Sequence, residues 1–386
     1  MKLNYLLFLL IITVFACSKD DEVEIVHTTD SSLNNCFELD SKSITDIVSD
    51  GAYGLIDNFN NEYIFYSSDE NLLIKVDNEL NEVWRKSYPH LSGVTIDLQE
   101  ILQTSSGEII IIAHKLNEYS EVTKVSSEGA LIWKTKFEES NLPHYRSVLE
   151  IPNNEYILSG SANDSINTWQ PIVTKINEEG EVVWTKFISS PNNDILKCSS
   201  RNNDQNLVLG VKAKNGDREI FYHFIDSEGN YTDRTGIGYE SGWDLESISL
   251  SDNGFLTLSS SDQSTNGDLS NTDYQLIKID EAGEIEWTQL FGGDKRELPA
   301  EVIESKDGGY YILGNTTSFG FGGFDLLVIK TDESGNIIWQ NTYGTAARDV
   351  GGTIIETENS DLIIGGVTGE NFNLFMFKID KDGTPK

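Results

Sequence analysis

The sequence predicts an all-β fold: a seven-bladed β-propeller of four-stranded antiparallel blades, closed by an N-terminal strand that completes the last blade. Three observations predict it. A signature, Lys-x-Asp-x-x-Gly-x-x-x-Trp, returns seven times, whole or degenerate, along the 386 residues, with the regularity of a stacked or circular repeat. Each full copy holds four strand-like runs separated by turn residues, which is the content of one blade. The last copy stops one strand short, and an unassigned strand-like run lies ahead of the first.

The unit is clearest between Ala300 and Gly344. Residues Ala300 to Ser305 alternate in polarity, Lys306-Asp307-Gly308-Gly309 make a turn, and Tyr310 to Gly314 form a second strand. A longer loop, Asn315 to Phe324, leads to a third strand, Asp325 to Lys330. In the turn Asp332-Glu333-Ser334-Gly335 the aspartate bonds its own backbone and the glycine takes positive φ, before a fourth strand from Ile337 to Tyr343. Runs such as Leu326 to Ile329 lack polar alternation, so both faces of these sheets are expected to be covered. Blades stacked around an axis supply that cover. The copy from Gly351 to Lys386 contains three strands, and the run Phe37 to Ile44 is expected to give it the fourth, which also removes open sheet edges.

Whole signatures run from Lys278 to Trp287 and from Lys330 to Trp339; weaker ones run from Lys75 to Trp84, Lys124 to Trp133 and Lys175 to Trp184. A degenerate copy begins at Phe224, with Asp233 in the tryptophan position, and a truncated one begins at Lys378. Leu80 stands where the first copy should have glycine. Identical residues at one position of every repeat serve packing before they serve ligands, so the tryptophans are read as wedges between neighbouring blades. A tight turn that left Lys330 opposite Ile337 would put the ammonium diagonally over Trp339. The fourth blade, lacking both residues, is expected to pack most loosely.

Residues 1–16 read as an export signal: Met1-Lys2, the apolar run Leu6 to Val14, then Phe15-Ala16-Cys17. That run falls short of the roughly 20 apolar residues needed to span a bilayer. Val14-Phe15-Ala16-Cys17 resembles a lipobox, which implies that Cys17 becomes the lipidated first residue of a lipoprotein. Ser18-Lys19-Asp20-Asp21-Glu22 resembles a signal that sends lipoproteins to the outer face of the outer membrane. Residues 17–35 then read as an acidic flexible tether and 36–386 as the propeller. With 28 Lys plus Arg against 63 Asp plus Glu, a net charge of −35, the chain should repel nucleic acid. Only Cys36 and Cys198 remain beyond Cys17, too few for a disulfide-built scaffold, and the repeat register sets them on opposite sides of the ring.

The aspartate, glycine and tryptophan spacing resembles the tryptophan-docking repeats of quinoprotein dehydrogenases and of the propeller lipoprotein in the outer-membrane β-barrel assembly machine. The aspartate-to-glycine interval is one residue shorter here. Asp307-Gly308-Gly309-Tyr310 and Gly335 to Trp339 are more similar to the repeats of surface and secreted β-propeller proteins, a family with no assigned reaction. The resemblance implies a propeller and a cell-surface address. The adjacent cysteine pair of the quinoprotein dehydrogenases is missing, so it does not extend to quinone chemistry.

In a propeller the loops between strands two and three, and between strand four and the next blade, share one face, and here these are the long, variable loops. That face is expected to gather Trp169, Trp243, Lys295, Arg296, Phe319, Phe321, Phe324 and Arg348, a mixture suited to a glycan or protein ligand. The loop Asp262 to Asp273 matches a twelve-position calcium loop, with Asp262, Ser264, Asn266, Asp268, Ser270 and Asp273 as oxygen donors and Gly267 at the turn. Calcium is therefore the one cofactor expected. The five histidines show no metal-ligand spacing, and no nucleophile elbow or phosphate cradle is present. Glu150, Glu246, Glu301, Glu304 and Glu356, on the innermost strands, resemble paired glycosidase acids but are read as polar lining of a wet channel. The function expected is a monomeric, lipid-anchored binding or scaffold protein at the cell surface. The alternatives are a polysaccharide-active lyase or hydrolase and a periplasm-facing assembly scaffold.

Overall fold

A computed structural model describes residues 25–28, 34–39, 44–48, 53–58, 61–67, 72–88, 96–115, 118–138, 143–163, 169–188, 194–201, 207–213, 219–226, 228–239, 245–262, 271–281, 283–369 and 373–386. Among these residues the strands form seven sheets. Six are antiparallel blades of four consecutive strands, within residues 53–87, 96–137, 144–187, 194–239, 245–291 and 297–344. The seventh sheet is composite: Asp349–Glu356, Leu362–Thr368 and Asn373–Ile379 are joined by β3 (Ile44–Val48), antiparallel to Asn373–Ile379. The first strand of each sheet packs on the first strand of the next, and Asp349–Glu356 packs back on Tyr53–Asn58. This is the all-β propeller architecture that the repeat predicts.

Two N-terminal segments depart from expectation. Within residues 17–35, read as a flexible tether, β1 (Ile25–Thr28) is a strand that runs parallel to the outer strand Ile285–Phe291. β2 (Asn34–Glu38) likewise lies parallel along Ile337–Gly344. Asn35 Nδ2 donates to Asn341 Oδ1 at 3.2 Å, and Phe37 stacks on Tyr343 with centroids 5.5 Å apart. Phe37 is thus committed to the sixth sheet. Of the run Phe37 to Ile44 that was to complete the last blade, only Ile44 belongs to β3, whose register pairs Ile44 with Phe375 and Val48 with Asn373.

Apolar strands are buried on both faces, as the missing alternation predicts: every residue of Tyr310–Thr316 and Asp325–Thr331 is buried. Their side chains make clusters shared by neighbouring sheets. Tyr311, Leu313 and Val328 pack with Ile354, Ile364 and Phe375, while Phe65, Ile74 and Val76 pack with Ile363, Leu374 and Met376 across the junction of the seventh and first sheets. Burying each such aliphatic side chain contributes roughly 1.5–3 kcal/mol.

The signature resolves into two devices. A bulge between Lys330 and Thr331 puts Lys330 directly opposite Trp339, with Thr331 taking Ile337 as its partner. The ammonium lies over Tyr311, 4.4 Å from its centroid, rather than over the indole. Each signature lysine pairs with an acid of its own sheet: Lys75 with Glu62, Lys124 with Glu108, Lys175 with Glu155, Lys278 with Asp252, Lys330 with Asp307 and Lys378 with Asp361, at 2.5–3.5 Å. Lysine therefore ties strand three to the turn between strands one and two.

Tryptophan ties one sheet to the next. A Cβ on Gly129, Gly180, Gly229, Gly335 or Gly383 would fall 2.6–3.1 Å from the indole of Trp84, Trp133, Trp184, Trp287 or Trp339 of the preceding sheet. Trp133 Nε1 donates to Glu178 O at 2.8 Å and Trp339 Nε1 to Lys381 O at 3.1 Å. The wedge reading holds at all five junctions. Leu80, with φ 61°, is the informative departure. The sheet before it ends in β3, which carries no tryptophan, and Leu80 itself packs into the cluster shared by those two sheets. Lys378 Nζ also crosses this junction to Asn78 Oδ1 at 2.8 Å. In the degenerate fourth sheet Phe224 keeps its register opposite Asp233, but most side chains there lie outside the described residues, including those that would report looser packing.

Candidate functional site

Six of the eight residues expected on the loop-rich face come together where the fifth, sixth and seventh sheets meet. Lys295 N donates to Ser318 Oγ at 2.9 Å, Arg296 N to Thr317 Oγ1 at 3.1 Å, and Thr317 N to Arg296 O at 2.9 Å. These bonds dock the segment entering the sixth sheet onto that sheet's own loop 317–324. Phe319 packs into the core below. Asp349 N donates to Phe324 O at 2.7 Å, and the Arg348 guanidinium lies over the Phe324 ring at 5.3 Å. Phe321 and Lys295 are exposed, and Arg296 Nε is buried without a hydrogen-bond partner among the described residues. Lys295, Arg296 and Arg348 thus stand on the same pair of loops as Phe321 and Phe324.

Buried acids hold these loops in shape. Asp325 Oδ2 accepts from Phe321 N at 2.9 Å and Gly322 N at 3.0 Å, folding the loop back on its strand. A side chain at residue 344 would fall on Asp325 Oδ1, so the end of strand four must be glycine. Asp349 accepts from Thr345 N at 2.6 Å and Thr345 Oγ1 at 2.9 Å, and Glu297 from Thr316 Oγ1 at 2.8 Å and Gly293 N at 3.2 Å. Burial raises the Asp325 carboxyl, with Asp349 adding to it, and burial likewise raises Glu297. Asp273 sits against Gly292 as Asp325 sits against Gly344, and burial pushes it up to about 6.

Of the calcium-loop residues, Asp273 is buried in the strand Thr272–Ile279, with Ser261 as its register partner, and Asp262 pairs with Thr272. Ser264, Asn266, Asp268 and Ser270, with the Asp262 side chain, lie outside the described residues, as do Cys17 and Trp243. Trp169 is placed apart from the main cluster. It stands half-buried at the start of the strand Trp169–Ile176, edge-on to His144 with centroids 4.9 Å apart. His144 in turn lies 3.8 Å, centroid to centroid, from His114. Burial, with His114 and Arg146 nearby, depresses His144 to about 4, so the His144 ring is neutral at physiological pH. Sequence spacing gave no sign of the histidine contact, because the residues come from neighbouring sheets.

The inner-strand glutamates are junction pieces rather than free channel lining. Val148 N donates to Glu100 Oε2 at 2.6 Å, Val302 N to Glu246 Oε2 at 3.1 Å, and Ile354 N to Glu301 Oε2 at 2.6 Å, each from the next sheet's first strand. A second tier runs the other way. Glu150 accepts from Ser105 N at 2.7 Å, Glu304 from Ser251 N at 2.9 Å and Glu356 from Lys306 N at 2.8 Å. Burial raises Glu100 and Glu301 to about 7 and lifts Glu246 well above the usual range, with Glu301 adding to the shift. A bulge just ahead of Glu100 and of Glu301 turns the side chain toward the next sheet. Among the described residues no group of three or more His, Cys, Asp or Glu side chains is arranged to hold a metal ion, and no helix is long and apolar enough to cross a membrane.

No family model and no curated protein matches the chain. Among solved structures it is similar to streptogramin B lyase, at 12% identity and a TM-score of 0.55 over 86% of this chain and 95% of that one. It is also similar to puromycin hydrolase, at 10% identity and a TM-score of 0.55, where the match covers 89% of this chain and 55% of the longer hydrolase. A protein of unknown function from Bacteroides caccae aligns at 14% identity over 75% of this chain and 92% of its own, with a TM-score of 0.44. At these identities the likeness extends to the fold alone, and the chain is a β-propeller.

Proposed function

We propose that this protein is a lipid-anchored binding module of the outer membrane, displayed on the cell exterior. Its ligand is a glycan or protein segment bearing carboxylates, held at Lys295, Arg296, Phe321, Phe324 and Arg348. One observation carries the reading: in a chain of net charge −35, Arg348 lies over the half-buried Phe324 ring while Lys295 and Arg296 are docked on the same loop as the exposed Phe321. Phenylalanine faces suit the apolar faces of sugars or side chains, and arginine suits planar carboxylates. The buried acids beneath are committed to loop backbone and hydroxyl groups, and they hold the loops that carry these cations in shape. The anchor is Cys17. The composite sheet is counted as a seventh blade, with β3 as its closing strand, so that the loops rest on a closed ring. Calcium held by Asp262, Ser264, Asn266, Asp268, Ser270 and Asp273 is the cofactor proposed.

The test is retention of acidic glycans and acidic peptides by the mature protein on an array. Binding without release of new reducing or unsaturated ends supports the reading; product release points to an enzyme. Protease treatment of intact cells addresses display, because a protein facing the periplasm would survive.

A further inference from the structure

Two strands of the N-terminal arm show what the outer edge of a blade can take. β1 lies parallel to the fourth strand of the fifth sheet over Thr288 to Phe291, and β2 lies parallel to that of the sixth over Gln340 to Gly344. Both occupy the stretch directly after the signature tryptophan, and the side chains of Thr288 to Phe291 and Gln340 to Tyr343 are uncharged and buried. The fourth strands of the first three sheets, Glu82–Ser87, Leu131–Phe137 and Val182–Phe187, stand at sheet edges, with no strand beyond them among the described residues. The equivalent stretches after their tryptophans carry Arg85, Lys86, Lys134, Lys136 and Lys186, and no acid. In a chain of net charge −35, cations are thus gathered on the bare edges and missing from the covered ones.

The second sheet has the best-placed edge. Arg85 is paired with Glu82, and Lys186 is turned to Asn230 Oδ1 of the next sheet at 3.1 Å. Lys134 and Lys136 are both exposed and two residues apart, hence on one side of their strand. The Lys136 ammonium stands 4.0 Å from the Tyr119 ring centroid, and the acids nearest to it among the described residues, Glu121 and Glu138, are 3.9 and 4.0 Å away. Lysines on an edge deter pairing with another neutral or basic edge. They favour a strand whose carboxylates fall opposite them, while the open N–H and C=O groups of the edge bond whatever backbone is laid along it.

We infer that the outer edge Leu131–Phe137 is a strand-addition site for an extended segment of another protein, with Asp or Glu at every second position, laid parallel as β1 and β2 are. Its acids meet Lys134 and Lys136. The site lies on the outer edge of the second blade and does not depend on the ligand proposed for the rim around Phe321.

The probe is a short synthetic peptide alternating valine and glutamate, set against the same peptide with lysine in place of glutamate, and the protein is the full chain. With the glutamate peptide at about ten times its Kd, amide hydrogen exchange within Leu131–Phe137 should slow about tenfold. Ile337–Gly344, already covered by β2, should not change, and the lysine peptide should protect neither strand. Lys134→Gln, Lys136→Gln should weaken the glutamate peptide about fivefold or more. Lys295→Ala, Phe321→Ala should leave the protection of Leu131–Phe137 in place, so that the rim and the edge are read separately. In a Cys36→Ser, Cys198→Ser background, a spin label on the peptide's C-terminal end should lie nearer a label at Glu138→Cys than one on its N-terminal end; the reverse order would overturn the parallel sense. Equal affinity of the lysine double variant and the wild type, or protection that spares Leu131–Phe137, would overturn the site. So would a double variant that keeps the peptide and precipitates, because the lysines would then serve only to deter edge pairing.

Discussion

Glu301→Gln should make this protein more stable at pH 8, although it removes a carboxylate that bridges two blades. Glu301 accepts from Ile354 N at 2.6 Å, and burial raises its carboxyl from the ordinary value of about 4.5 to about 7. The folded state thus binds the proton more tightly than the unfolded chain. Stability is fully present below about pH 4.5 and is lost as pH rises through about 7. Raising the carboxyl from about 4.5 to about 7 corresponds to about 3 kcal/mol, and the partial exposure of the side chain reduces this to about 2. Glutamine keeps the acceptor for Ile354 N and carries no charge, so it reproduces the protonated state at every pH. For a chain of this size the unfolding entropy converts about 2 kcal/mol into about 3 °C of Tm. Differential scanning calorimetry at pH 5 and pH 8 is the assay. The variant should gain about 3 °C at pH 8 and less than about 1 °C at pH 5. Glu179→Gln, an exposed change of the same net charge, should move neither. A variant no more stable than wild type at pH 8, or with an unchanged pH slope, would refute the reasoning.

Trp133→Ala should cost about 2–3 kcal/mol, since it empties a wedge that is half-buried and frees Glu178 O; denaturant midpoints check this, and a tryptophan that served ligand alone would leave them unmoved. Gly335→Ala should destabilise by about 2 kcal/mol, because φ is 78° and the new methyl would meet Gln289 at 2.7 Å and Trp287 at 3.1 Å. Calcium at millimolar concentration should raise Tm and chelator should lower it if the loop Asp262 to Asp273 binds the ion; an unchanged melting curve counts against that site.

The repeat was legible because it is written in residues with one structural use each. Glycine at 335 and tryptophan at 339 occur together because the tryptophan of one blade needs a bare turn in the next. The same logic explains Leu80, because the composite sheet before it ends in β3, which carries no tryptophan. What the sequence hides is set by small displacements. The diagonal placement of Lys330 and Trp339 failed because one bulge shifts the pairing by a residue. Glu301 looked like channel lining because strand alternation predicts a wet face, whereas the bulge before it turns the carboxylate into the next blade's backbone. The arm looked flexible because Ile25–Thr28 and Asn34–Glu38 are short and lie in a polar stretch. Their order comes from an outer strand over 250 residues away. On the face itself the six clustered residues were legible from loop length, since loops of adjacent blades must meet on one rim. Trp169 was grouped with them by type, but it belongs to a different sector, beside His144.

The central claim is that the rim around Phe321 binds a carboxylate-bearing ligand. It is tested most directly by equilibrium binding of the acidic ligand selected from an array to the mature protein and to the double variant Lys295→Ala, Phe321→Ala. Both side chains are exposed, so the fold should be kept and the melting temperature unchanged. Affinity should fall at least about tenfold, the loss of roughly 1.4 kcal/mol for one aromatic contact and one charge-assisted contact. Equal affinity of the double variant and the wild type, with melting curves superimposed, would contradict the account.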